Sequence, residues 1–374
     1  MKILHTADWH LGKIVHGASM LDEQKYILRQ IIEIAKEEEI DAMIIAGDLY
    51  DRSIPSTEAI TLLNDVLYEL NVQRKIPIFA ISGNHDSSER LAFGSAWYEQ
   101  NKLFITAKLT ADLTPINWRD SQFWLIPYHD TLTARAVLRD PNINSFDDAM
   151  QAIIAKIQPQ QDKSKTQVLI GHAFVAGAEV SDSERALSVG NVERVATTNF
   201  AGFDYVALGH LHRPTALNHA SIGYSGSPLK YSFSESLDTK SVRIVELAAG
   251  ELLSVRTREL TPNHDLRKIA GHIDELLENK EIHTTDYVQI NLLDEGALLD
   301  PMGRLRKVFP NILHLERTKH QLGTARTASF ETVLKMEPAL LFSEFFNYTT
   351  GKDVTAKQAE IVKNTIEKTL KGGE

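Results

Sequence analysis

The sequence predicts a layered α/β fold with two packed sheets, then a small second α/β unit and a C-terminal helical tail. Three observations carry this expectation. Over residues 1–260, short apolar runs of strand type alternate with amphipathic helical stretches. Between 221 and 258, three strand-type runs follow one another with no helix between them, as a layered two-sheet arrangement requires. Thr261-Pro262-Asn263 then punctuates the chain before a second, shorter alternation begins.

In chain order, residues 1–6 read as a buried strand. Residues 22–39 read as an amphipathic helix with Tyr26, Leu28, Ile31, Ile32 and Ala35 available to its buried side. A strand at 41–46 precedes a helix at 57–70, which opens after Pro55-Ser56. Strands follow at 76–82, 123–127, 168–171 and 205–209, with a helix from about 147 to 157. The runs at 221–225, 241–247 and 252–258 complete the first unit, residues 1–260. The second unit, 264–320, which the resemblance given below makes a capping domain, is predicted to carry a helix at 266–278, a strand at 287–293, a helix at 301–309 and a strand at 312–316. Residues 321–329 are polar and read as a linker. The tail, 330–374, carries an apolar stretch at 338–346 and a helix opening at Thr355, with Gln358 three residues on as a capping-box partner.

Composition bounds the chemistry. At 374 residues the chain exceeds one ordinary domain, so a large and a smaller unit are expected. Cysteine is absent, so any metal must be held by His, Asp, Glu or Asn. No apolar run approaches the roughly 18–20 residues of a membrane span. The chain starts directly with a strand rather than a signal-type apolar region, and a cytoplasmic location is expected. A formal charge of −10 argues alone against a phosphate-rich partner. The carboxylates, however, cluster on helical segments such as Glu37-Glu38-Glu39, and bound cations would invert the local sign, so net charge leaves the substrate open.

Five motifs stand just after predicted strand ends: Asp8-Trp9-His10, Gly47-Asp48, Gly83-Asn84-His85-Asp86, Gly171-His172 and Gly209-His210-Leu211-His212. Loops at strand C-termini converge on one sheet edge, and the glycines let the backbone turn so that the next side chain enters a cleft. A lone histidine after a glycine is ordinarily a loop residue. Five motifs that agree in order, strand placement and donor type instead point to a two-metal centre. Asp48 is the candidate bridging carboxylate; Asp8, His10 and His212 suit one ion, and Asn84, His172 and His210 the other. Imidazole mixed with carboxylate and amide favours manganese, iron or zinc over calcium or an all-oxygen magnesium site. Two such ions about 3.5–4 Å apart would stabilise the attacking and leaving oxygens of phosphoryl hydrolysis. His85, next to Asn84, is the candidate to protonate the leaving alkoxide. Asp86 is expected to hold the His85 tautomer, and Asp51 to sit outside the ligand set. Nine of the fourteen histidines, among them His5, His16, His129 and His264, lie outside the motifs and read as structural or surface residues.

This motif set resembles the calcineurin-like metallophosphoesterase superfamily. More narrowly, it resembles the SbcD nuclease subunits. The carrying stretches are Ile3-Leu4-His5-Thr6-Ala7-Asp8-Trp9-His10-Leu11-Gly12, Ala46-Gly47-Asp48-Leu49-Tyr50-Asp51-Arg52, Ser82-Gly83-Asn84-His85-Asp86-Ser87 and Ala207-Leu208-Gly209-His210-Leu211-His212-Arg213. Tyr224-Ser225-Gly226-Ser227-Pro228-Leu229 with Ser232-Phe233 matches as well and lies outside the candidate ligands.

The resemblance implies a metallophosphoesterase nuclease domain bearing two Mn2+ per subunit, with Mg2+, Fe2+ or Zn2+ as candidates in situ. It implies 3′-to-5′ exonuclease action on duplex ends and endonuclease action on single strands and hairpins. It also implies an SbcC-type ABC ATPase as partner in DNA end processing, recombination and repair, and a homodimer within a heterotetramer. The candidate dimer helices are 57–70 and 88–100, with Leu91, Phe93, Trp97 and Tyr98 as an apolar face. Arg304, Arg306 and Lys307 form the clearest basic cluster of the capping unit, although no DNA-contacting residue is assigned. Leu340, Leu341, Phe342, Phe345 and Phe346 form an apolar group suited to a partner groove. Two rival readings are a phosphodiesterase for small substrates and a non-catalytic scaffold that regulates an ATPase.

Overall fold

A computed structural model describes residues 1–179, 184, 194–248, 250–296, 298–317, 337–350 and 352–371. The expected linker at 321–329 lies outside the described residues. Among the described residues, no helix is long and apolar enough to cross a membrane.

Two sheets stack face to face. The first runs, in spatial order, Glu251–Glu259, Ser241–Ala248, Lys2–Thr6, Ala42–Ala46, Ile78–Ile81, Leu103–Thr106. Its last four strands are parallel, and the other two join antiparallel at the Lys2–Thr6 edge. The second runs Ile222–Tyr224, Tyr205–Gly209, Thr166–His172, Ser121–Ile126, Ile116–Trp118, parallel except for the final pair. Strands covered on both faces are expected to be apolar throughout, and Ala42–Ala46 and Tyr205–Gly209 are buried at every position.

Between the sheets lies one core, with Ile3, Ile44, Val168 and Ala207 among its members. There Phe79 and Phe123 stack at a 3.9 Å centroid distance. Outside the first sheet, Leu21–Glu37 and Thr57–Leu67 bury Ile27, Ile31 and Leu63. Outside the second, Thr131–Leu138 and Phe146–Ile157 bury Leu138 and Ile153. The result is a helix–sheet–sheet–helix sandwich. Ser56 caps Thr57–Leu67 by accepting from the Ala59 amide, as its position before the helix implies.

The capping unit is a three-stranded parallel sheet with Tyr287–Leu292 between Leu266–Gly271 and Ile312–Arg317. Its own core includes Ile273, Leu276, Val288 and Phe309. Here the expected helix at 266–278 is corrected: residues 266–271 pair as a strand, and the helix begins only at Ile273. The register with Tyr287–Leu292 claims those backbone groups, and His272 with Glu275 forms the capping box that starts the helix. The unit docks beside the motif loops. His264 pairs with Glu23 at 2.6 Å, Lys230 with Asp265 at 2.9 Å, and His314 stacks on His16 at 5.1 Å. The tail forms helices Pro338–Thr350 and Ala356–Lys371, the second opened by reciprocal Thr355–Gln358 hydrogen bonds.

Candidate metal centre

All seven expected ligands and His85 meet at the ends of the two sheets. Lys2–Thr6 delivers Asp8 and His10, Ala42–Ala46 delivers Asp48, and Ile78–Ile81 delivers Asn84 and His85. The facing sheet contributes His172 at the end of Thr166–His172, and His210 and His212 after Tyr205–Gly209.

The motif glycines have a steric reason. A Cβ on Gly47 would lie 2.4 Å from His172 Nδ1, one on Gly83 2.1 Å from Asp48 Oδ1, and one on Gly209 1.9 Å from the Ala46 carbonyl oxygen. Backbone and ligand approach too closely for any side chain. Asp8 (φ 53°), His10 (φ 46°), Asp48 (φ 51°) and His210 (φ 101°) also adopt left-handed backbone conformations. Such conformations cost energy and persist where surrounding structure enforces them, often at functional sites.

Two subsites are visible. In one, Asp8, His10 and His212 converge, with His10 Nε2 3.0 Å from His212 Nε2. In the other, Asn84 Oδ1 lies 2.9 Å from His172 Nε2 and 3.1 Å from His210 Nδ1. Asp48 Oδ2 lies between them, 3.6 Å from His10 Nε2 and 3.5 Å from His172 Nε2. Imidazole nitrogens and carboxylate and amide oxygens gathered this closely in a buried site are what a cation-binding cage presents. The Nδ2 of Asn84 has no hydrogen-bond partner, so its amide is oriented by its oxygen. The residues fit two divalent ions with Asp48 shared.

The surroundings fix the imidazoles. His172 donates Nδ1–H to the Ala46 carbonyl at 2.9 Å, which turns Nε2 toward the site. Asp8 accepts the His210 amide at 2.9 Å, which ties the two sheets together at the site. His85 donates Nδ1–H to the Asp51 carbonyl at 2.8 Å, and its amide donates to Asp48 Oδ1 at 2.8 Å. Asp86 instead accepts the amides of Leu49, Tyr50 and Gly83, so it pins two motif loops together rather than holding the His85 ring. Asp51 sits 3.7 Å from His10 Nδ1 and pairs with Lys13.

Charge is unevenly distributed. Burial pushes the Asp8 carboxyl up to about 7. Asp48 is equally buried, yet the His172, His10 and His85 imidazoles hold it below the usual carboxylate range. Burial lowers His10 and takes His210 down to about 3, so both favour the neutral, ligating form. Cations would add counter-charge at Asp8, where burial outweighs the His172 and His212 imidazoles.

Sequence reasoning missed a layer behind the ligands. Gln24 donates to the His10 carbonyl at 2.7 Å, and Tyr231 donates to the Trp9 carbonyl at 2.5 Å. Glu235 and Lys240 lie behind His212, and Glu184 accepts its amide at 2.7 Å. The one available signal was the stretch from Tyr224 to Phe233, which stood out without an assigned role.

Two sheets and a buried cluster of His, Asp and Asn donors on this loop edge define a metal-dependent phosphoesterase class. In agreement, the calcineurin-like phosphoesterase family profile matches residues 1–214. A second profile, described as the type 5 capsule protein repressor C-terminal domain, matches residues 262–350. The SbcD component of the SbcCD nuclease from Staphylococcus epidermidis is 37% identical over 368 residues, 98% of each chain. The chain belongs to the SbcD family of calcineurin-like phosphoesterases. Among solved structures, a dimetal phosphatase from Danio rerio aligns at 12% identity and TM-score 0.43, over 70% of this chain and 96% of that one. TT1561 of Thermus thermophilus aligns at 11% identity and TM-score 0.40, over 69% and 98%.

Proposed function

We propose that this chain is a manganese-dependent DNA nuclease subunit, a 3′-to-5′ exonuclease on duplex ends and an endonuclease on single strands and hairpins. In this reading it acts in the cytoplasm with an SbcC-type ABC ATPase in DNA end processing, recombination and repair. The observation that carries it is the Asp48 carboxylate standing between two donor sets, in a chain related over 98% of its length to a nuclease subunit.

Asp8, His10 and His212 would hold one ion and Asn84, His172 and His210 the other, with Asp48 contacting both. When bound, two such ions polarise a phosphoryl oxygen and activate water for in-line attack. The chain's own residues do the rest. The Asp51 carbonyl accepts from His85 Nδ1–H and orients the ring; in the imidazolium form, with both nitrogens protonated, Nε2–H would pass its proton to the departing 3′ oxygen and leave the neutral ring. The left-handed backbone at Asp8, His10 and Asp48 fixes the donors before substrate arrives.

Association follows from two apolar surfaces. Ile60, Tyr68, Phe93 and Tyr98 are exposed around a cavity of about 360 Å³, and this face would pair two subunits in a heterotetramer. Leu340, Leu341, Phe342 and Phe345 on Pro338–Thr350 are exposed too and would enter a groove of the ATPase. In the capping unit, Arg306 and Lys307 are exposed and would face DNA, whereas Arg304 pairs with Asp274 at 2.7 Å.

The test is cleavage of end-labelled duplex and hairpin DNA in manganese, with and without the ATPase and ATP. His85→Gln should keep its metal and lose about 10²- to 10⁴-fold in rate. Intact DNA under every condition, alongside hydrolysis of a chromogenic phosphodiester, would replace this reading with a small-substrate one.

A further inference from the structure

A buried ion pair stands behind one metal subsite. Glu235 is fully buried and Lys240 is 4% exposed. One Glu235 oxygen lies 3.7 Å from His212 Nδ1, and the other lies 2.5 Å from Lys240 Nζ. Lys240 also donates to the His212 carbonyl at 2.8 Å and to Ser227 Oγ at 3.0 Å, while the Ser227 amide donates to that same carbonyl at 3.1 Å. A Cβ on Gly226 would meet the His212 carbonyl at 2.6 Å. The Ser225-Gly226-Ser227 stretch, outside the ligand set, is therefore the platform on which His212 rests.

An imidazole ligates through an unprotonated nitrogen, so its proton must be held on the other one. An ionised carboxylate is acceptor-only. Facing Nδ1, it selects the tautomer that leaves Nε2 free, and Nε2 is the atom turned toward His10. A carboxylate buried this deeply needs a counter-charge, which Lys240 provides. The arrangement is one-sided: His172, in the other subsite, rests on the neutral Ala46 carbonyl.

We propose that Glu235, held by Lys240, is a positioning residue that fixes the tautomer and aim of His212 and thereby sets the affinity of the Asp8–His10–His212 subsite selectively. The proposal rests on the two-metal reading above.

The test uses the full chain. Manganese binding is followed by calorimetry, and histidine tautomers by ¹⁵N NMR of the metal-free protein. The variants are Glu235→Gln, Glu235→Asp and the double variant Glu235→Gln/Lys240→Met, which leaves no orphaned ammonium if the single change fails to fold. In the Gln variants one of two manganese equivalents should weaken about ten- to a hundred-fold while the other holds, and the His212 Nδ1-protonated signal should be lost. Glu235→Asp, which keeps the charge, should restore part of both. Wild-type affinity at both equivalents, or equal weakening of both with the tautomer unchanged, would overturn the proposal. Fewer than two equivalents in the wild type would instead contradict the two-metal reading itself.

Discussion

His5 and His172 are both buried, yet their surroundings drive them in opposite directions. Burial, helped by the Arg243 charge, takes His5 down to about 3. Burial also works against His172, but the Asp48 carboxylate outweighs it and lifts the imidazole to about 9. One histidine is built to stay neutral against Tyr205, and the other to work beside an anion. The difference has a stability consequence. Between about 3 and the ordinary 6.5, the unfolded chain holds a proton on His5 that the native chain lacks. The His5 contribution to native stability should therefore fall as pH drops below 6.5, by up to one proton, about 1.4 kcal/mol per pH unit, against the opposite contribution of Asp8, which is raised to about 7. Urea midpoints of the metal-free protein measured across that range should show a shallower slope in His5→Gln. Equal slopes would remove His5 from the account.

At the scale of elements, strand ends were legible because function marked them. Tyr205–Gly209 matches its expected bounds, and the candidate ligands follow strands as expected except His172, which is itself the last residue of Thr166–His172. The glycines that made those ends visible are the same ones whose Cβ would strike Asp48 or Ala46. Other features depended on contacts that local pattern does not encode. Residues 88–100 carry helical periodicity, yet the chain breaks at Gly94 (φ 79°) into Ser88–Ala92 and Ser95–Tyr98. Leu91 then turns into the core while Phe93 and Trp97 stay exposed. Tyr26, expected on the buried side of its helix, is likewise exposed. The Glu235–Lys240 pair was invisible for a different reason. An acid and a lysine five residues apart are ordinary surface chemistry until the fold carries them behind His212.

At the scale of the molecule, the candidate site depends on both sheets at once. The site lies where the two sheets meet, so each donor set needs both sheets in register, as the bond from the His210 amide to Asp8 illustrates. The tail's apolar residues lie on their own helix, Pro338–Thr350. Deleting residues 338–374 should therefore abolish capture of an SbcC-type ATPase and leave manganese binding intact. Unchanged capture would rule the tail out as the docking element. The central claim is that Asp48 joins two ions into one centre, and the most direct measurement is manganese stoichiometry with the electron paramagnetic resonance spectrum of the loaded chain. The wild type should bind two equivalents and give an exchange-coupled signal, with coupling lost in a folded Asp48→Asn variant. Two coupled ions bound with undiminished affinity in that variant would contradict that claim.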